Sequence, residues 1–179
     1  MQATRGRPSP ERSRVSVPKQ QLHCFSKNLS LAVIRELGRP GIVTLDADTG
    51  SPSYALLTGL TRDSATLRAA GTEQAVTLSA LAARWQGDFA TLWRAPPGYT
   101  GRLTDGSETV GWIATRLAAA NGSSAPAEGP KALDAPLRSQ LRAFQLSQGL
   151  PADGMPGPMT FMQLNRTAGV DEPRLRTEL

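Results

Sequence analysis

An interruption at 121–131, Asn-Gly-Ser-Ser-Ala-Pro-Ala-Glu-Gly-Pro-Lys, sets the strongest limit on how this chain of 179 residues can fold. Its prolines cannot continue a helix, and its small polar residues have little to bury. The sequence therefore predicts two folded pieces, about 21–120 and 132–168, joined by a linker at 121–131. Ahead of them lies 1–20, a basic arm of Arg, Pro, Ser and Gln with almost nothing apolar, read as disordered. Behind them lies a polar tail at 169–179. A piece as short as 132–168 buries little by itself and needs a neighbour to pack on.

A net charge of +5 and a pI of about 10.1 would suit nucleic acid. Position decides against that reading. Residues 1–20 carry Arg5, Arg7, Arg12, Arg14 and Lys19 against Glu11, a net of +4, whereas 21–179 hold 15 basic and 14 acidic residues, a net of +1. The arm also lacks the interleaved aromatics on which bases stack, so no nucleic acid is expected as a partner. One cysteine, Cys24, and one histidine, His23, exclude an intramolecular disulfide and a Cys/His zinc site. No metal and no cofactor are expected, and no GxxxxGK[ST] phosphate loop is present. No apolar stretch approaches the roughly 18–20 residues of a membrane span. The basic N-terminus has no apolar core after it and so is not a secretory signal.

The first piece reads as α+β, a small and mainly antiparallel sheet with flanking helices. Leu29–Leu37 has helical spacing and stops at Gly38. Residues 41–48 alternate apolar and polar side chains, Thr49-Gly50-Ser51-Pro52 is turn chemistry, and 53–60 completes a hairpin. Short strands are expected at 64–69 and 74–78. Ser79 can cap a short helix that ends at Trp85, a strand follows to Pro96, and 108–120 is an amphipathic helix. In the second piece, Asp134 can cap a helix at 135–148 with Leu137, Leu141 and Phe144 inward. Pro158 opens another, with Phe161 and Leu164 inward.

Several residues invite a chemical reading and receive a structural one. His23 and Cys24 are adjacent, so on a strand they point to opposite faces and on a helix they diverge by about 100°, neither of which makes a catalytic dyad. Cys24 is read as a buried or semi-exposed structural thiol; a cysteine peptidase or cell-wall hydrolase using it is the alternative. Trp85, Trp93 and Trp112 could stack on sugars but read as core. Asp46 and Asp48 stand at a strand end before a tight turn and read as solvated.

The run 137–165 resembles the second half of a peptidoglycan-binding domain. The resemblance rests on Phe144-Gln145, Gly149-Leu150, Asp153-Gly154, Gly157-Pro158-Met159-Thr160 and Leu164. Pro156 and Met159 depart from it, and the first helical repeat of the full module is read as missing or degenerate. The physical reading agrees: Gly154 permits a left-handed turn, and Gly157 and Pro158 begin a helix whose free N–H groups can receive a carboxylate or hydroxyl. The resemblance implies ligand-binding roles for Gln145, Asp153, Gly154, Gly157 and Thr160. Cys24, the stretch 38–60 and the run Trp85-x-Gly-x-Phe-x-x-Leu-Trp-Arg-x-Pro96 resemble the C-terminal periplasmic region of the general secretion pathway protein A family. That family implies a degenerate papain-like peptidase region at 21–120 followed by the peptidoglycan-binding-like module. Active relatives carry a His where Ser53 precedes Tyr54, so no catalytic residue is expected. The implied function is a non-catalytic, periplasmic peptidoglycan-binding protein that assists type II secretion secretin assembly or anchoring. Peptidoglycan is the expected ligand, general secretion pathway protein B and the secretin the implied protein partners, and a membrane is met only through an upstream anchor.

Overall fold

A computed structural model describes residues 21–124, 129–130 and 132–177. The expected arm at 1–20 and part of the expected linker lie outside the described residues. The chain runs β1 (Leu22–Asn28), α1 (Leu31–Leu37), β2 (Gly41–Leu45), β3 (Ser53–Leu60), β4 (Ser64–Ala69), β5 (Thr72–Thr77), α2 (Leu78–Ala82) and β6 (Trp85–Arg94). Then come α3 (Glu108–Ala120), α4 (Ala135–Ser147) and α5 (Pro158–Thr167). The class is α+β, as the sequence predicts.

Local chemistry sets the element ends. Ser30 Oγ accepts the Val33 N–H at 3.3 Å to start α1, and Gly38, left-handed at φ 61°, ends it. β2 and β3 form the expected hairpin, with Gly41 opposite Leu57 and Leu45 opposite Ser53. All strands pair antiparallel in the order β1-β6-β2-β3-β4-β5. The last strand is thus inserted between the first and the hairpin. Gly41 sits where β2 lies against β6; a Cβ there would run into the Phe89 ring and lie 2.7 Å from the Ala90 carbonyl.

Pattern places the core. The odd positions of β1 and β6 turn toward the helices, and Phe89 and Trp93 are each only 1% exposed. One cluster joins Ile34, Val43, Leu57, Leu60, Leu81 and Phe89 beneath the sheet. A second joins Leu37, Trp93 and Ala95 to Val110, Ile113 and Leu117 of α3, Leu137 and Leu141 of α4, and Phe161 of α5. Trp93 stacks on Phe161 with centroids 5.7 Å apart and planes 7° from parallel. The opposite sheet face stays uncovered, with Ile42 at 49% and Leu92 at 60% exposure.

Four segments depart from the sequence reading. α2 stops at Ala82 and is capped by Thr77 rather than Ser79; its Oγ1 accepts the Ala80 N–H at 3.2 Å. Trp85 belongs to β6, where it pairs with Leu45. β1 was not predicted, because half of its residues are polar and its pairing partner lies some sixty residues on. The segment after 169 is polar yet docked: Leu175 is buried, its N–H donates to the Gly38 carbonyl at 2.9 Å, and the Leu60 N–H donates to the Arg176 carbonyl at 2.7 Å.

Candidate functional site

The site forms where α4 turns into α5. Asp134 accepts the Leu137 N–H at 2.9 Å and starts α4, which buries Leu137, Leu141 and Phe144 on one face. After Gly149 the chain doubles back, and the Leu150 N–H reaches the Gln145 carbonyl at 2.9 Å. The buried Gln145 amide then organises the following turn. Its Oε1 accepts the Gly154 N–H at 2.8 Å, and its Nε2 donates to Asp153 Oδ1 at 2.9 Å, the Met155 carbonyl at 3.0 Å and Thr160 Oγ1 at 3.3 Å. Asp153 Oδ1 also accepts the Met155 N–H at 2.8 Å. These two bonds, the backbone one foremost, hold the Asp153 carboxyl below the usual carboxylate range. Gly154 has φ 71°, and a Cβ there would lie 3.0 Å from the Arg138 carbonyl, so the turn demands glycine.

The structure brings all five predicted residues to this turn and divides them. Gln145 and Thr160 are 2% and 3% exposed and bonded inward, and Gly154 is buried too, so these residues shape the turn. Asp153 is exposed, and its Oδ2 makes no hydrogen bond among the described residues. Gly157 caps α5 from the groove side. The groove beside the turn is lined by Leu150, Asp153, Met155 and Met159, and on its far wall by Phe25 and Lys27 of β1. Sequence reasoning missed Phe25 and Lys27, because the alternation Phe25-Ser26-Lys27 marks a strand face only once β1 itself is recognised.

The other candidates fall elsewhere. His23 lies on the helix side of β1, its ring 5.6 Å from both Trp93 and Tyr99. Cys24 is neither buried nor semi-exposed as expected: β1 turns it onto the uncovered sheet face beside Leu92, where it is exposed. The two side chains therefore do not face one another. Ser53 begins β3 and is exposed. Trp93 is core; Trp85 is half-buried and donates its Nε1–H to the Asp88 carbonyl at 2.7 Å. Trp112 is half-buried with its edge toward Phe161, and the Arg116 guanidinium sits 5.3 Å above its ring. Asp46 is bound by Arg84, whose Nε–H donates to Oδ1 at 3.0 Å, and this hydrogen bond lowers the carboxyl below its usual range. Among the described residues, no group of three His, Cys, Asp or Glu could hold a metal, and no helix is long and apolar enough to cross a membrane.

Comparison with known proteins agrees with this geometry. Residues 106–164 match the family model of the peptidoglycan binding domain. The match starts ahead of the 121–131 break and takes in α3, which a reading of 132–168 alone leaves out. The chain is 32% identical over 165 residues to general secretion pathway protein A of Aeromonas hydrophila, covering 91% of this chain and 30% of that protein. Its fold is similar to a periplasmic domain of the EpsAB fusion protein of the Vibrio vulnificus type II secretion system. That likeness has a TM-score of 0.54 and 24% identity, over 86% of this chain and 68% of the other; at that identity it speaks to the fold alone. The chain is thus similar to general secretion pathway protein A, spanning 30% of that relative's length, and it carries a match to the peptidoglycan binding domain over 106–164.

Proposed function

We propose that this chain binds peptidoglycan without cleaving it and serves a type II secretion apparatus in the periplasm. There it helps the secretin assemble in, or anchor to, the wall. The wall-binding module holds peptidoglycan through the Asp153 turn, with Gln145, Gly154 and Thr160 as positioning residues and Asp153 and Gly157 at the ligand. The region before α3 is a degenerate papain-like scaffold that meets protein partners, general secretion pathway protein B and the secretin among them. One observation carries the reading: 106–164 match the peptidoglycan binding domain, on helices whose rigid Asp-Gly turn borders an open groove. The absence of turnover is supported by the opposite faces of His23 and Cys24 and by Ser53 at the position where the peptidase resemblance asks for His.

Sedimentation with purified sacculi tests it. The full chain is used, because cutting before α4 would strip Leu137, Leu141 and Phe161 from the core around Trp93. The chain should pellet with sacculi and release no soluble muropeptides. Met155→Glu, on a half-exposed groove residue, should pellet less. A chain that stays in the supernatant at every concentration tested ends the reading.

A further inference from the structure

The groove at the Asp153 turn belongs to two parts of the chain at once. One wall is the turn and the start of α5, with Leu150, Asp153, Met155 and Met159; the other is β1, with Phe25 and Lys27. The cavity measures about 200 Å³. This is below the roughly 300–1,000 Å³ of sites that enclose drug-sized ligands, and it suits one or two amino-acid residues better than a disaccharide. Its only aromatic, Phe25, is half-buried and packed against the core, so only part of one ring reaches the groove. Its lining sets the apolar Leu150, Met155 and Met159 beside the polar Gln145 and Thr160. Its charges are one cation and one anion: Lys27 makes no hydrogen bond or ion pair among the described residues, and Asp153 keeps Oδ2 unbonded. Lys27 and Asp153 line the same groove without closing on one another.

We infer that this groove binds the stem peptide of the wall, not its glycan, with Lys27 taking a carboxylate and Asp153 an ammonium of a diamino acid in that peptide. This rests on the peptidoglycan-binding reading above. A residue carrying both charges on a short aliphatic chain matches the groove in size, in its apolar side chains and in its opposed charges. The consequence is that β1 completes the site, so the wall-binding module is not the whole receptor. Lys27 is then a ligand-contacting residue contributed from outside 106–164.

The experiment uses the full chain and three probes: intact sacculi, glycan strands freed of peptides by an amidase, and the free stem tripeptide ending in its diamino acid. The expected result is binding to sacculi, competition by the tripeptide, and weak binding to bare glycan. Lys27→Met keeps the aliphatic stem and should weaken tripeptide affinity about tenfold, the size expected for one charge-assisted hydrogen bond. Lys27 is exposed and unbonded, so the variant should fold as the parent does, which a denaturation curve checks. Asp153→Asn, which keeps Oδ1 as an acceptor for the turn, should weaken the tripeptide as well. If sacculi and bare glycan bind equally, or if Lys27→Met binds the tripeptide as the parent does, the stem-peptide assignment is wrong while wall binding stands. If sacculi do not bind at all, the wall-binding reading fails first.

Discussion

Gln145 commits its whole side-chain amide to the turn that follows its helix, and that commitment makes it the most consequential polar residue of the site. Gln145→Leu keeps the bulk but leaves the Gly154 N–H, the Met155 carbonyl and Thr160 Oγ1 without their partner. Each buried group abandoned this way costs about 1–3 kcal/mol, so the variant should lose at least about 2 kcal/mol in urea denaturation. Gly154→Ala should cost a further comparable amount by a different route, about 1–2 kcal/mol for a Cβ in left-handed backbone, with the Arg138 carbonyl crowding it. Asp153 adds a pH dependence with a definite sign. Its carboxyl is held below the ordinary value of 3.8 by the Met155 N–H and then by Gln145. A group depressed in the folded state contributes stability that is fully present above its unfolded value and lost as pH falls through the folded one. The unfolding midpoint should therefore fall with acidification below 3.8 more steeply in the parent than in Asp153→Asn. Equal slopes would mean that the bonds to Oδ1 do not discriminate the charged form.

Among the elements, β2 and β6 pair so closely beside Gly41 that a Cβ has no room there. Gly41→Ala would force the Phe89 ring and the Ala90 carbonyl apart, and overpacking of this kind costs about 1–3 kcal/mol. Ile42→Ala, one residue along but on the uncovered face, removes a half-exposed side chain and should cost clearly less in the same denaturation assay. The contrast also explains what the sequence could disclose. The β2–β3 hairpin, α3, and the start of α4 at Asp134 were legible because their signals are local: alternation, a turn, a cap, a 3.6-residue stripe. β1 was not, because Leu22–Asn28 is half polar and is made a strand by pairing with β6, far along the chain. The turn residues of the site were legible as a motif, but their division into Gln145 inside and Asp153 outside depends on burial, which a motif does not encode. Lys27 was hidden with the strand that carries it.

At the scale of the whole molecule, the break at 121–131 divides the sequence without dividing the core. Trp93 of β6 stacks on Phe161 of α5, α3 packs on both α4 and α5, and Leu37 of α1 joins the same cluster. The segment after 169 closes the arrangement. Arg39 and Glu172, each with side chains 4% exposed, pair at 2.6 Å. Arg39 also donates to the Leu92 carbonyl at 2.8 Å, and Glu172 accepts the Arg94 N–H at 3.1 Å. Asn165 of α5 donates to the Arg94 carbonyl at 2.8 Å, so the end of β6, the start of β2, α5 and the C-terminal segment are tied at one point. A buried pair adds little over an apolar replacement, but removing one member strands the other. Glu172→Ala should thus destabilise by about 3–5 kcal/mol, while replacing Arg39 and Glu172 together by Met and Leu should recover much of that loss. The shared core makes a second demand on the same measurement. Tryptophan fluorescence, reporting Trp85 and Trp93 in the sheet and Trp112 on α3, should unfold in one transition coincident with helix loss by circular dichroism. Two separated transitions, with the helical signal lost first, would mean that α3, α4 and α5 fold apart from the sheet; Lys27 and Asp153 would then not be held across one groove.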